Sequence, residues 1–179
     1  KKINFGIEKK QIRDDPALKI VKCDYSDIRD YLHVRNIKKN RLVSTNPRHI
    51  ISLTEHLNWW INNHISKFKI LKPNNLIGYC WFKINTDIHG DYLTSGWFFN
   101  NKIDDKLKTS IYVQDKLNIL AKENYKKIMW IIITKKNNKF VNFINKKNKF
   151  IIASSESMSR AKYSFKTQLN DYFVMEKKI

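Results

Sequence analysis

The longest uninterrupted apolar run in this chain is Ile128-Met129-Trp130-Ile131-Ile132-Ile133, the length of one strand. A helix that spans a bilayer needs about 18 apolar residues. The run therefore predicts a buried strand over 127–134 and excludes a membrane helix. The segments around it alternate between the two periods. Residues 18–23 alternate as a first strand. Ser26 or Asp27 caps a helix to about Asn36, with Ile28, Tyr31 and Leu32 on one face. Ser44-Thr45-Asn46-Pro47 breaks the chain. Ser52-Leu53-Thr54-Glu55 forms a capping box, Ser52 at the N-cap and Glu55 at N3. The helix that follows puts Leu53, Leu57, Trp60 and Ile61 on a face and ends near His64.

Strands are predicted over 67–71, 76–85 and 92–100, with turns at 72–75 and 87–91. Thr109 caps a helix to about Asn124, and a short helix covers 139–147. Late strands fall at 150–154 and 171–177. The order is βααβββαβαββ, an α/β (α+β) class. At 179 residues the chain reads as a loose polar arm, 1–17, and a single domain, 18–179.

Composition narrows the function classes. Lys and Arg number 35 against 16 Asp and Glu, a net charge of +19, but 42% hydrophobic residues with 5 Trp, 8 Tyr and 10 Phe exclude a disordered basic tail. The lysines are spread along the chain, and no helix-turn-helix, zinc or RNP pattern marks a nucleic-acid binder. The 29 Lys, 20 Asn and 25 Ile all have A/T-rich codons, so much of the charge reads as genomic bias, as in a low-GC bacterium or a giant virus. Cys23 and Cys80 make no disulfide framework and no zinc quartet, and His33, His64 and His89 show no metal spacing. No metal is expected, and the cytoplasm is the expected compartment (the host's, for a viral chain). The chain starts at Lys1 without Met or a secretion signal, which fits a domain of a longer polypeptide. The oligomeric state is open.

The element order resembles the GNAT acyltransferase fold, and several segments add to the likeness. Leu32-His33-Val34-Arg35-Asn36, Arg41, His49-Ile50 and Glu55-His56-Leu57-Asn58-Trp59 resemble the front half of a branch that acetylates 4-amino groups of nucleotide-linked deoxyamino sugars, as in pseudaminic-acid-type pathways. Leu76-Ile77-Gly78-Tyr79, Gly96-Trp97-Phe98-Phe99, the stretch from Asn138 to Phe150, and Asp171-Tyr172-Phe173-Val174-Met175 resemble later segments. The resemblance implies a mixed sheet of six or seven strands, splayed at its centre between the strand ending near Asn100 and the strand 127–134, with about four helices. It implies acetyl-CoA as cosubstrate and a nucleotide-linked 4-amino-4,6-dideoxy sugar, for example a viosamine-type sugar, as acceptor, attacked directly.

Site residues follow from the same likeness. The main chain of Trp97, Phe98 and Phe99 would meet pantetheine, with the Asn138 side chain on the same arm. Asp105, Lys106, Leu107, Lys108 and Thr109 stand where the family has a glycine-rich pyrophosphate loop, with Lys102 as a further cation. Leu107 and Thr109 replace glycines that let backbone approach phosphate. Asn145 stands where a tyrosine commonly protonates the leaving thiolate, which leaves water, the substrate, Tyr112 or Tyr125 for that task. Arg35, Asn36, Arg41 and Trp59 would face the acceptor, and His49 or His56 would be the base, since imidazole titrates near neutral pH. Each has a plainer alternative. The arginines can pair with Asp24, Asp27 or Asp30, Trp59 can be core, Asn138 can be a helix cap, and the histidines can be surface groups. A degenerate, non-catalytic binding or scaffolding domain is the rival reading as a whole.

Overall fold

The computed structural model describes residues 18–62, 64–73, 75–100, 103 and 105–179. The arm 1–17, Lys102 and Asp104 lie outside the described residues. Among the described residues seven strands form one sheet: β1 (Lys19–Lys22), β2 (Ile65–Lys72), β3 (Asn75–Asp87), β4 (Gly90–Phe99), β5 (Met129–Lys135), β6 (Ile151–Ile152) and β7 (Tyr172–Lys178), in the order β1-β2-β3-β4-β5-β7-β6. All neighbours run antiparallel except β4 and β5.

That one parallel pair is short. It joins Tyr92 to Met129, Leu93 to Trp130 and Thr94 to Ile131, and beyond Thr94 and Ile131 the two strands part. Residues 95–99 of β4 and 132–135 of β5 thus have no ladder partner on their facing edges, which is the splay expected from the resemblance.

Among the described residues six α-helices cover the sheet: α1 (Ile28–Asn36), α2 (Lys38–Leu42), α3 (Leu53–Trp60), α4 (Lys106–Asn124), α5 (Lys139–Lys147) and α6 (Ser155–Phe165). The resemblance implies about four, and α2 and α6 are the additions. Ser52 and Glu55 make the capping box of α3 as read from the sequence. Asn138 caps α5 by accepting from the Val141 amide. α4, in contrast, starts a turn before Thr109, with Asp105 as its cap, and Thr109 is buried inside it. A 3-10 turn at Tyr25–Asp27, capped by Asp24, leads into α1.

Side chains alternate across a strand, and the buried clusters show which face each helix covers. On one face Cys80, Phe82, Leu93, Trp130, Ile132 and Met175 pack under Tyr112, Val113 and Leu117 of α4. On the other, Tyr79 and Phe98 pack under Tyr31 and Val34 of α1 and Trp60 of α3. Further along that second face, Tyr92, Ile131 and Val174 pack under Ala161 of α6. No helix among the described residues is long and apolar enough to cross a membrane.

Candidate functional site: a cleft through the sheet

The splay opens a cavity of about 460 Å³ whose walls come from both faces. Residue parity along the two parted strands sorts the lining. Ser95, Trp97 and Phe99 of β4 and Ile132 and Thr134 of β5 face α4 and α5. Gly96 and Phe98 of β4 and Ile133 of β5 face α1, α2 and α6. One cavity therefore has two chambers that meet between the strands.

In the first chamber the polar groups are tied to one another. The Trp97 indole donates to Gln114 Oε1 at 3.1 Å, the Trp130 indole to Ser95 Oγ at 2.9 Å, and Asn145 Nδ2 to Thr134 Oγ1 at 3.0 Å. Asn145 and Thr134 are both buried. Asn138 caps α5 and also lines this chamber. At the mouth, Lys106 lies over the Phe140 ring at 5.0 Å. Lys39 faces it from α2, donating to the Asn100 carbonyl at 2.8 Å. Burial and the nearby Lys106 charge lower the pKa of Lys39. An anion between the two ammonium groups would relieve that repulsion.

The segment 105–109 is less open than a glycine-rich loop. The Asp105 carboxylate accepts from the Lys108 amide at 3.0 Å and so occupies one of the free N–H groups of the helix end. Leu107 is 46% exposed, Thr109 is buried, and of these five residues Lys106 alone lines the cleft.

In the second chamber the walls are Trp81, Phe98, Val43 and Phe165, with Arg35 among them. The Arg35 guanidinium sits 5.7 Å from the centre of the Phe98 ring and has no hydrogen-bond partner among the described residues. Burial lowers its pKa, the mark of a cation kept from water without a carboxylate. The Trp81 indole N–H also has no partner among the described residues. It lies over Gly96, where an added Cβ would come within 2.8 Å of Trp81 Nε1. Asn40 of α2, buried, donates to the carbonyls of Val34 (2.7 Å) and Phe99 (2.9 Å) and fastens this wall to the end of β4. No sequence signal beyond an asparagine in a basic stretch marks it.

The other expected acceptor and base residues stand behind the wall. Asn36 and Ile51 exchange two hydrogen bonds, Nδ2 to O at 2.9 Å and N to Oδ1 at 3.0 Å. Arg41 donates to the carbonyls of Asn36 and Pro47. The pair fixes the segment 43–51, part of which lines the cleft. Trp59 packs on Tyr31 and His56, with the Lys67 ammonium 5.4 Å from its ring centre. His56 is 3% exposed, stacked on Tyr31, with Nε2 bonded to the Ile28 carbonyl at 3.0 Å. Burial lowers its pKa, which favours the neutral ring. His49 is exposed and pairs with Glu55 at 3.0 Å. None of these five lines the cleft, and no carboxylate or imidazole does among the described residues. Tyr112 lies in the core under Lys116, and Tyr125 bonds Ser66, so neither reaches the cleft.

A second concavity, about 670 Å³, lies at the β3–β4 turn beside α6. Its cation, Arg160, is already held by Asp87 (two contacts at 2.8 Å) and by Glu156 (3.1 Å). Among the described residues no cluster of His, Cys, Asp and Glu could hold a metal.

No family model and no curated protein matches the chain. Solved structures do match its fold. The yncA acetyltransferase of Salmonella typhimurium, solved with acetyl-CoA, is 12% identical with a TM-score of 0.68, covering 90% of this chain and 94% of that one. AAC(6')-Ib, solved with ribostamycin and coenzyme A, is 9% identical with a TM-score of 0.69 over 90% and 93%. The N-acetyltransferase PseH of Campylobacter jejuni is 13% identical with a TM-score of 0.59 over 91% and 99%. The chain has the fold of the GNAT acetyltransferases.

Proposed function

We propose that this protein is an acetyl-CoA-dependent N-acetyltransferase whose acceptor is the amino group of an anionic small molecule, in the first instance a nucleotide-linked 4-amino-4,6-dideoxy sugar. The observation that carries the reading is the two-chambered cleft at the splay. A thioester donor enters from the α4–α5 face and an amine from the other, and they meet between β4 and β5. Apart from the carbonyls of Phe99 and Lys135, which accept from Asn40 and Asn142, the parted edges of residues 95–99 and 132–135 offer backbone groups to an extended pantetheine arm. Lys106 and Lys39 suit phosphates at the mouth.

The acceptor class rests on charge. The second chamber presents Arg35 and, among the described residues, no acidic side chain. Such a chamber disfavours a polycation of the aminoglycoside kind and suits a diphosphate, which a guanidinium grips with two parallel bonds. With His49 and His56 bonded elsewhere, the amine loses its proton to water, and the rate rises with pH through the acceptor's own pKa. The Asp105 cap and Asn145 favour the rival reading of a domain that binds without turnover.

Calorimetric titration with acetyl-CoA, followed by thiol-release assays on nucleotide-linked amino sugars and on an aminoglycoside, decides between them. Binding and turnover with the sugars are expected. Absence of CoA binding at millimolar concentration overturns the enzyme reading, and turnover confined to the aminoglycoside overturns the acceptor class.

A further inference from the structure

The hydrogen-bond directions in the first chamber single out a group with a hydrogen to spare. Asn138 Oδ1 is used on the Val141 amide, Gln114 Oε1 on Trp97, and Asn145 Nδ2 on Thr134. Thr134 Oγ1 is an acceptor in its bond, so its own hydrogen is left over, and among the described residues the hydroxyl makes no bond as a donor. A hydroxyl is one donor with two lone pairs, and its hydrogen rotates to suit a ligand. The residue is 7% exposed, so what little surface it keeps belongs to the cleft wall. Its partner Asn145 is 2% exposed and is also held by its helix, so the hydroxyl is aimed rather than loose.

We propose that Thr134, positioned by Asn145, is the hydrogen-bond donor to the sulfur that leaves when acetyl is transferred. This rests on the acetyltransferase reading above. The amine attacks from the second chamber, so the sulfur recedes into the first, on the side of the sheet to which Thr134 points. The nitrogen lone pair forms the C–N bond to the thioester carbon. The C–S bond then breaks and its electron pair goes to sulfur. Thr134 stabilises the nascent thiolate with its O–H. The proton that the nitrogen sheds passes through solvent to the sulfur, and the hydroxyl is unchanged at the end. A threonine hydroxyl is too weak an acid to stay deprotonated, so its contribution is a charge-assisted bond rather than general acid catalysis. Asn145 takes no proton and gives none; it is a positioning residue.

The test reads the thiol itself. Coenzyme A is bound to the protein and its thiolate absorbance near 240 nm is titrated against the apo protein. Cys23 does not interfere, since burial pushes its thiol up to about 12. Cys80, fully buried, is pushed higher still. In the wild type the bound thiol is expected to titrate about one pH unit lower than in Thr134→Val. Thr134→Ser should restore the wild-type value, and Asn145→Ala should lie between. With an acceptor in hand, kcat falls about tenfold in Thr134→Val while KM for acetyl-CoA stays within about twofold. Equal thiol titration in wild type and Thr134→Val overturns the proposal, as does a shift seen in Ser95→Ala instead. If Thr134→Val does not fold, Thr134→Ser and Asn145→Ala decide the same question: an unshifted Asn145→Ala overturns the proposal. Failure of the wild type to bind coenzyme A at all counts against the acetyltransferase reading, a separate result.

Discussion

The two chambers of the cleft are built on opposite plans. Under α4 and α5 the side chains close on themselves: Trp97 on Gln114, Trp130 on Ser95, Asn145 on Thr134. Under α1 and α2 two strong donors, the Arg35 guanidinium and the Trp81 indole, are left without partners among the described residues. The side chains of the first chamber hold one another, with only the Thr134 hydrogen left to spare, whereas the second turns two donors, Arg35 and Trp81, toward the open cleft, where a ligand with acceptor oxygens can meet them. On the proposed function, the first chamber suits the constant substrate and the second the selected one.

The sharpest way to break this contrast is at Gly96. Gly96→Val drives a side chain into Trp81, whose ring atoms lie 2.8–3.0 Å from the position of the new Cβ. Acceptor turnover should fall by ~100-fold, the order of loss for a displaced reacting group, while calorimetry shows coenzyme A still bound. Equal loss of both would merge the chambers into one site. Next in size is Arg35→Met, which keeps the packing on Phe98 and removes the charge. KM for an anionic acceptor should rise about 10- to 100-fold, with KM for acetyl-CoA unmoved; an unchanged acceptor KM would show that Arg35 is only core.

A smaller effect tests the mouth of the first chamber. Asp105→Asn retains a cap for α4 but removes a negative charge from the helix end, where the dipole and free amides attract anions. Coenzyme A should bind about two- to fivefold tighter at low salt, and an unaltered isotherm would place its phosphates elsewhere. The least of the four concerns the support behind the second chamber. His56 has its pKa lowered from 6.5 by burial. The unfolded chain therefore takes up the proton first, and stability present above pH 6.5 is lost as pH falls toward the lower folded value. Melting curves from pH 8 to 5 should show the decline, and His56→Gln should flatten it. A variant with the wild-type slope would assign the decline to other groups.

Much of this fold is legible in the chain because its strands alternate cleanly. The 92–100 and 127–134 segments lie within a residue or two of β4 and β5, and the Ser52–Glu55 box marks the start of α3. α2 and α6 escape because their buried residues look like surface ones. Asn40 is buried for two carbonyls, and Arg160 for Asp87 and Glu156. Of the site residues named from the sequence, Arg35, Lys106, Asn138, Asn145 and the strand 97–99 line the candidate cleft. Asn36, Arg41, Trp59 and His56 have the residue types of a binding site, but their partners are carbonyls and rings of the wall itself. Thr134 and Trp81 are invisible in the sequence, since their importance comes from which face of a parted strand pair they occupy.

That parting has a kinetic consequence. A cavity lined from both faces of the sheet would let the donor and acceptor of the proposed reaction come and go from separate sides, so that neither would wait for the other to leave. Initial-rate plots should intersect rather than run parallel, as a ternary complex requires and a shuttled acyl-enzyme would not. Free coenzyme A should compete with acetyl-CoA alone, leaving acceptor binding noncompetitive.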